Sequence, residues 1–205
     1  WHNLASIDVK EGNYPAAREQ LGKALKILQE IGDRGGESAT WHQLATIDLN
    51  EGNHLAAREK FGKSLGIKQV IGNRPGEAGT WHQLASIDFE EGNYPAAREK
   101  FGKALKIKQE IGDRSGEADT LYHLGFLAWE CGMKHEGVRL VAICVSIEAA
   151  IGHGDRDKDL KNLLGMCTEL GYGKAQIVAL LKEAADAYQR DRGQSLIEAA
   201  FGEAE

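Results

Sequence analysis

The sequence predicts an all-α solenoid, a stack of antiparallel helix hairpins in which each hairpin buries its apolar side against its neighbours. The first observation is a repeat: residues 1–40 and 81–120 are identical at 31 of 40 aligned positions, and residues 41–80 are nearly as similar. The second is the helical spacing of apolar residues within each repeat, and the third is the lack of strand-like alternation. A period of this length is typical of repeat proteins that bind other molecules.

Each repeat encodes two helices of about 17 residues joined by a short turn, which makes a helix hairpin. In the second repeat, Asp33 is predicted to cap the first helix, which passes through Trp41 and ends at Gly52. Asn53 is predicted to cap the second helix, which ends at Gly72. The apolar stripe of this second helix comprises Ala56, Ala57, Phe61, Ser64, Leu65 and Ile67.

The first and third repeats follow the same plan, with Pro15 and Pro95 in the first turn of the second helix, where a missing N–H is harmless. Gly22, Gly62 and Gly102 recur inside the second helices, although glycine costs about 1 kcal/mol there relative to alanine. Their recurrence indicates either a close approach of two helices or a neutral glycine that was copied with the repeat.

From residue 121 the repeat diverges. The fourth repeat keeps Leu124, Gly125 and Gly132, but its second helix is far more apolar than those before it. The fifth repeat is recognisable mainly by its phase, and residues 195–205 are predicted to add one or two helical turns. Because the last unit of a solenoid has no neighbour on one side, we expect the fourth and fifth repeats to form a C-terminal cap.

The pattern W-x-x-L-A-x-x-x-x-x-x-G-N-(Y/H)-x-x-A-x-x-x-F resembles the tetratricopeptide repeat, strongly over roughly residues 1–152 and weakly beyond. In the second repeat the signature positions are Trp41, Leu44, Ala45, Gly52, His54, Ala57, Phe61 and Ser64. The period is similar to that of the family's long, roughly 40-residue subclass. The resemblance implies a right-handed superhelix with units at residues 1–33, 34–73, 74–113, 114–153 and 154–192, followed by a capping helix or tail at 193–205.

One departure from the family pattern is an aspartate where the family usually has an aromatic residue, at Asp8, Asp48 and Asp88. A partly buried carboxylate without a partner is costly, so the sequence predicts an ion pair with an arginine of a facing helix, namely Arg18, Arg58 or Arg98. The alternative is a row of carboxylates that binds a cationic ligand.

The resemblance also implies that ligands bind in a concave groove lined by the first helices. The groove positions in this sequence are His42, Thr46, Leu49, His82, Ser86, Phe89, Glu90, Tyr122, Phe126, Trp129 and Glu130. His2 is the equivalent of His42 in the first repeat. Histidines on successive hairpins lie on the order of 10 Å apart, too far for one metal ion, so they either line the groove or pack beside the adjacent Trp.

Tyr122, Phe126 and Trp129 share one helical face, since they are spaced i, i+4 and i+7. If they are exposed, they form an aromatic patch next to Glu90 and Glu130 that suits an apolar or cationic peptide side chain. The alternative is that the fifth repeat or the C-terminal helix covers them.

Charge and composition argue against several classes of function. A net charge of −6 argues against nucleic acid as the main partner, because phosphate binding needs a basic surface. The sequence has no long apolar run and no signal-peptide pattern, so we expect neither a membrane span nor a leader. The three cysteines, Cys131, Cys144 and Cys167, lack metal-ligand spacing, which predicts free thiols in a reducing cytoplasmic compartment and neither a metal nor another cofactor.

No nucleotide-binding loop, nucleophile elbow or zinc motif occurs in the sequence, so the leading hypothesis is a non-catalytic scaffold that binds a peptide or protein segment. The alternative hypothesis is a C-terminal regulatory array of a larger signalling protein that carries a nucleotide switch or a protease. By the repeat phase, Trp1 falls within a helix, so we expect the chain to be cut from a longer array. The face cut at that end is expected to favour self-association.

Overall fold

The computed structural model describes residues 12–202, which form ten α-helices and contain no β-strand in that range. None of these helices is long and apolar enough to cross a membrane. The predicted all-α repeat class is confirmed. The helices are α1 (Tyr14–Glu30), α2 (Arg34–Asn50), α3 (His54–Val70), α4 (Arg74–Glu90), α5 (Tyr94–Ile111), α6 (Arg114–Glu130), α7 (Lys134–Ile151), α8 (Arg156–Glu169), α9 (Lys174–Asp191) and α10 (Gln194–Phe201).

The chain divides into two compact units, Trp1–Ile87 and Asp88–Glu205. In the first unit, α2 packs against both α1 and α3. In the second unit, α6 packs against α5 and α7, and α7 also contacts α8, α9 and α10. The final helix α10 packs on α7 and α9, which confirms that the last residues of the sequence add a short helix.

Turns between helices are built on glycines in the left-handed region, as the prediction for Gly52 required. Gly52 has a φ of 76°, and the amide of Asn53 then donates to the carbonyl of Asp48 at 2.8 Å, which closes the end of α2. The Asp33 cap is confirmed, since its Oδ1 accepts from the Gly36 amide at 2.9 Å. Asn53 stands at the N-cap position of α3, but the predicted side-chain cap is wrong: the side chain makes no capping hydrogen bond, and its Nδ2 lies 3.5 Å from Glu51 Oε2.

The core of the first unit consists of two apolar clusters on the predicted stripes. Phe61 and Ile87 are fully buried in one cluster, and Leu21 and Ile47 are fully buried in the other. Full burial of a side chain of this size contributes about 1.5–3 kcal/mol, so the stack depends on these few anchors repeated once per hairpin.

The core of the second unit is densest around α7, whose residues 140–145 are all buried. Here α6 and α7 approach closely at Gly125 and Gly137, because a Cβ at Gly125 would lie 2.9 Å from the Gly137 carbonyl oxygen. The hypothesis of close helix approach at Gly22, Gly62 and Gly102 is wrong, since a Cβ at any of them would meet no heavy atom within 4 Å.

Candidate functional site

The recurring aspartates are buried and paired with cations. In the first unit, Asp48 accepts from Arg18 Nη1 at 2.7 Å and also pairs with the Lys60 ammonium on α3. In the second unit, Asp88 is paired with Lys100 in the same way. The predicted arginine pairing is therefore confirmed at Asp48. The lysine of the facing helix was missed, although it recurs at the same place in the second and third repeats.

The aspartate prediction is wrong for one arginine. Arg98 does not end at an aspartate: its Nη2 donates to the carbonyl of Gly202 at 3.1 Å, and its guanidinium lies 5.0 Å from the Phe201 ring centroid. This arginine therefore fastens the end of α10. Asp8 and His2 lie outside the described residues, as does the N-terminal face for which self-association is expected.

His42 is a half-buried residue of α2 rather than an open groove ligand. Its Nδ1 lies 3.3 Å from the Lys68 ammonium, and its ring meets the Phe61 ring edge-on at 5.0 Å. Burial, together with the charge of Lys68, lowers its pKa from 6.5 to about 4. The imidazole is therefore neutral at physiological pH and accepts from Lys68.

The other candidate residues of the first unit are also partly enclosed. The hydroxyls of Thr46 and Ser86 donate to the helix carbonyls of His42 and His82, at 3.0 and 3.1 Å. Leu49 packs on the apolar cluster around Phe61. His82 itself is buried. This part of the predicted set thus offers small hydroxyl groups that are already bonded within their helix.

In the second unit, the candidate aromatic side chains are all half-buried. Tyr122 and Phe126 are in contact, with ring centroids 4.7 Å apart. Phe89 meets Tyr94 at 5.8 Å, and the Lys134 ammonium lies 4.5 Å from the Trp129 centroid. The acidic neighbours Glu90 and Glu130 are exposed.

Part of this aromatic surface is covered by the fifth hairpin. Asn162 of α8 donates to the Tyr122 hydroxyl at 2.7 Å, which holds that ring in place. Burial is the main cause that raises the pKa of Tyr122 above its usual range. Tyr122 is thus fixed at one end, while its ring stacks on Phe126.

Sequence reasoning missed two buried polar groups that recur with the repeat. Lys68 Nζ donates to Thr80 Oγ1 in the first unit, and Lys108 Nζ donates to Thr120 Oγ1 in the second, both at 2.8 Å. Burial lowers the pKa of both lysines, that of Lys68 from 10.5 to about 8. The signal was available in the sequence, since a lysine follows the buried isoleucine of the second helix in both repeats.

Glu117 is a second such group, fully buried at the start of α6. Its carboxylate accepts from Gln109 Nε2 at 3.1 Å, from the Tyr188 hydroxyl at 2.9 Å and from Arg192 Nε at 3.1 Å. The last two donors come from the end of α9, so this buried charge ties the C-terminal hairpin to the fourth repeat.

Comparison with known proteins agrees with this architecture. Residues 1–69 match the sequence profile of the tetratricopeptide repeat. The chain is similar to the crystal structure of BtubC (BKLC) from P. vanneervenii, with a TM-score of 0.74 and 20% sequence identity over 98% of this chain and 80% of that chain.

It is also similar to a Podosopora anserina putative kinesin light chain with nearly identical TPR-like repeats, with a TM-score of 0.67 and 19% identity over 93% of this chain and 95% of that chain. At such low identity these structures show the fold alone. No curated protein sequence matches the chain significantly. Residues 1–69 thus carry tetratricopeptide repeats, and the chain has the fold of TPR-like repeat structures over most of its length.

Proposed function

We propose that this chain is a non-catalytic interaction module that binds a peptide segment on the first-helix surface of its second unit. Tetratricopeptide repeats generally mediate protein–protein interaction, and the repeat units generally act as scaffolds rather than as enzymes. The binding residues in this proposal are Phe89, Glu90, Tyr122, Phe126, Trp129 and Glu130.

The observation that carries the proposal is the contact between Tyr122 and Phe126, two aromatic rings that remain only half-buried in the folded unit. Aromatic rings held rigidly in this way lose little side-chain entropy when a ligand covers them, so they are efficient anchors for a peptide side chain. Asn162 adds to this rigidity by bonding the Tyr122 hydroxyl.

Charge indicates which peptide fits. Glu90 and Glu130 are exposed at the ends of the helices that carry the aromatic residues, and the chain as a whole has a net charge of −6. A peptide that places an apolar or aromatic side chain on the rings and a lysine or arginine beside the carboxylates is complementary to this surface. A nucleic acid is not complementary to this surface.

Selection from a displayed library of random peptides, followed by fluorescence anisotropy on the enriched peptides, tests the proposal. Phe126→Ala should weaken binding at least about ten-fold, since interface aromatic residues commonly contribute more than 1.4 kcal/mol. Val178→Ala is the matched control, because Val178 is exposed on α9, away from the proposed residues. Far-UV circular dichroism confirms that both variants fold.

The charge component is tested separately with Glu130→Gln, whose effect should fade at high salt, where exposed charges are screened. Asp157→Asn, another exposed acid, serves as its control. Equal affinities for wild type, Phe126→Ala and Val178→Ala would contradict the proposed surface.

We also infer a cytoplasmic, reducing location. All three cysteines are free thiols, and Cys131 is exposed, which is the usual state of thiols kept reduced inside the cell.

A further inference from the structure

Three acidic groups meet in the interior of the second unit, at the junction of α7 and α8. Cys144 and Glu148 are four residues apart on one face of α7, and Asp159 lies in the first turn of α8. Their relative exposures are 0%, 3% and 7%. One ligand atom from each, a sulfur and two carboxylate oxygens, lies within 4.8 Å of the others.

Two oxygens of this cluster have no hydrogen-bond partner within the part of the chain that the structure describes. They are Oε2 of Glu148 and Oδ1 of Asp159, both buried. Nδ1 of His153, a side chain that is a third exposed, lies 3.4 Å from the other carboxylate oxygen of Glu148, Oε1. Buried polar atoms without a partner cost about 1–3 kcal/mol each, so the folded protein gains if a further group binds them.

The preceding repeats show what is missing. At the position equivalent to Glu148 the second and third repeats carry Lys68 and Lys108. Lys108 Nζ lies 3.8 Å from the half-exposed Asp119, the residue that corresponds to Asp159. The fourth repeat keeps the aspartate but replaces the lysine by a glutamate. A buried ammonium has thus been replaced by a buried carboxylate, which lies beside the second buried carboxylate of Asp159.

We propose that Cys144, Glu148 and Asp159 bind one divalent metal ion of the zinc type, which takes the place of the lysine ammonium of the earlier repeats. A thiolate with two carboxylates is a donor set that suits Zn²⁺ or Co²⁺. The fourth ligand of the metal ion is His153 or a water molecule.

The dimensions fit this donor set. Bonds of about 2.3 Å to sulfur and 2.1 Å to oxygen place tetrahedral ligand atoms about 3.5 Å apart, so the three side chains need only contract slightly. The four candidate ligands lie between residues 144 and 159. The site is therefore formed by the end of α7, the turn that follows it and the start of α8. The exposed side of His153 leaves an entry path.

Metal binding must displace protons. Burial is the leading cause that raises the pKa of the Cys144 thiol and of the Glu148 and Asp159 carboxyls. The charge of Asp159 raises the pKa of Cys144 and Glu148 further. The other charged or titratable groups around the cluster are Asp119, Tyr122, His153, Asp155 and Lys158. Because all three ligands bind the metal in their ionised forms, affinity should rise with pH.

Titration of the chelator-treated chain with Co²⁺ tests the proposal directly. A thiolate ligand gives a near-ultraviolet charge-transfer band, which should appear on addition of Co²⁺, strengthen between about pH 6 and pH 8 and disappear on addition of Zn²⁺. Zn²⁺ should also raise the thermal midpoint of unfolding, by an amount that grows with the logarithm of the ratio of its free concentration to the Kd.

The repeats themselves provide variants that should fold. Position 144 is occupied by Ser64 and Ala104 in the preceding repeats, so Cys144→Ser and Cys144→Ala insert residues already used there. Both should abolish the charge-transfer band. Cys131→Ser, at an exposed thiol outside the cluster, is the control and should keep it.

Glu148→Lys restores the cation of the earlier repeats. It should abolish Co²⁺ binding and stabilise the metal-free chain, as an added metal ion does for the wild type. The contrary result would be a chain without a cobalt band at pH 8 and without thermal stabilisation by Zn²⁺. That outcome would overturn the proposal and leave Glu148 and Asp159 as two carboxyl groups that share a proton.

Discussion

Lys68 places an amine in the interior of the first unit, where only 6% of its surface is exposed. Its ammonium donates to the Thr80 hydroxyl at 2.8 Å and to His42 Nδ1 at 3.3 Å, yet no carboxylate is among these partners. A buried charge held by neutral groups alone is a net cost, because the lost hydration exceeds what two hydrogen bonds return.

This cost predicts a pH dependence. The folded-state pKa of Lys68 is about 8, below its ordinary 10.5, so the unfolded chain binds more protons between these two values. Stability should therefore rise as pH increases from about 8 to 10.5.

Lys68→Met should remove this component. The variant should be more stable than wild type near pH 7 by about 1–3 kcal/mol, and the difference should shrink above pH 10, as measured by urea unfolding at both pH values. Thr80 keeps its bond to the Gly76 carbonyl, and His42 Nδ1, which loses the lysine, lies 3.4 Å from the Thr80 hydroxyl. Lys63→Met, at an exposed lysine paired with Glu59, should show no such change. A Lys68→Met variant whose pH profile parallels wild type would contradict this prediction.

The ion pairs of the buried aspartates also show which side-chain contacts can be predicted from the sequence and which cannot. The ion pair between Asp48 and Arg18 was predictable, because a buried carboxylate demands a cation and an arginine recurs at a fixed distance. The second partner, Lys60, was not singled out, because which of two basic residues turns inward depends on the rotation of α3 about its axis. The Asn53 cap depends likewise on the direction of one side chain, which makes no capping hydrogen bond.

At the scale of helices, the contact between α6 and α7 depends on two facing glycines. A Cβ at Gly125 would lie 2.6 Å from Val141 Cγ2, and a Cβ at Gly137 would lie 2.7 Å from the Gly125 carbonyl. The second and third repeats carry alanine at both positions, namely Ala45 and Ala57, then Ala85 and Ala97. The fourth hairpin is therefore packed more closely than a copy of its predecessors would permit.

Gly125→Ala should accordingly destabilise the second unit by about 1–3 kcal/mol, although alanine is the better helix former, because two backbones must move apart. Gly102→Ala, also inside a helix of this unit but with open space around it, should instead stabilise by about 0.5–1 kcal/mol. Opposite signs in the shift of the thermal midpoint verify the argument. A stabilising Gly125→Ala would show that the helices can separate without cost.

At the scale of the whole chain, the end of the repeat array is held by a buried charge. Glu117 is fully buried, and its carboxylate accepts from Tyr188 and Arg192 as well as from Gln109. Arg192 has a φ of 57°, an unusual backbone for a residue other than glycine, so the close of α9 is shaped around this contact. This carboxylate thus ties the end of α9 to α6.

Arg192→Asn, which tolerates the left-handed backbone but removes the guanidinium, should lower the stability of the second unit by about 1–3 kcal/mol. Amide hydrogen exchange should speed up first in α9 and α10. Arg190→Asn is the control, since Arg190 is exposed and pairs only with groups of its own segment. If Arg192→Asn leaves amide exchange in both helices unchanged, apolar packing on α7 is sufficient to hold them, and the prediction is wrong.

The fold was largely readable from the sequence. The 40-residue period, the helical spacing of residues such as Phe61 and the glycines at Gly52 and Gly72 determine local structure, and local structure in a repeat determines the stacking. These features act over a few residues, or between units that are copies of one another. They can therefore be recognised in the sequence alone.

The sites were decided by tertiary structure. Cys144, Glu148 and Asp159 have no recognised ligand spacing, and they meet only because the turn at Gly152, with a φ of 68°, sets α8 against the face of α7 that carries the first two. Likewise, only packing determines that Tyr122 is half-covered while Glu117 is wholly enclosed. The repeat predicts where helices start and end, but the angle and depth at which two helices meet depend on side-chain volumes, and those volumes change from residue 121 onward.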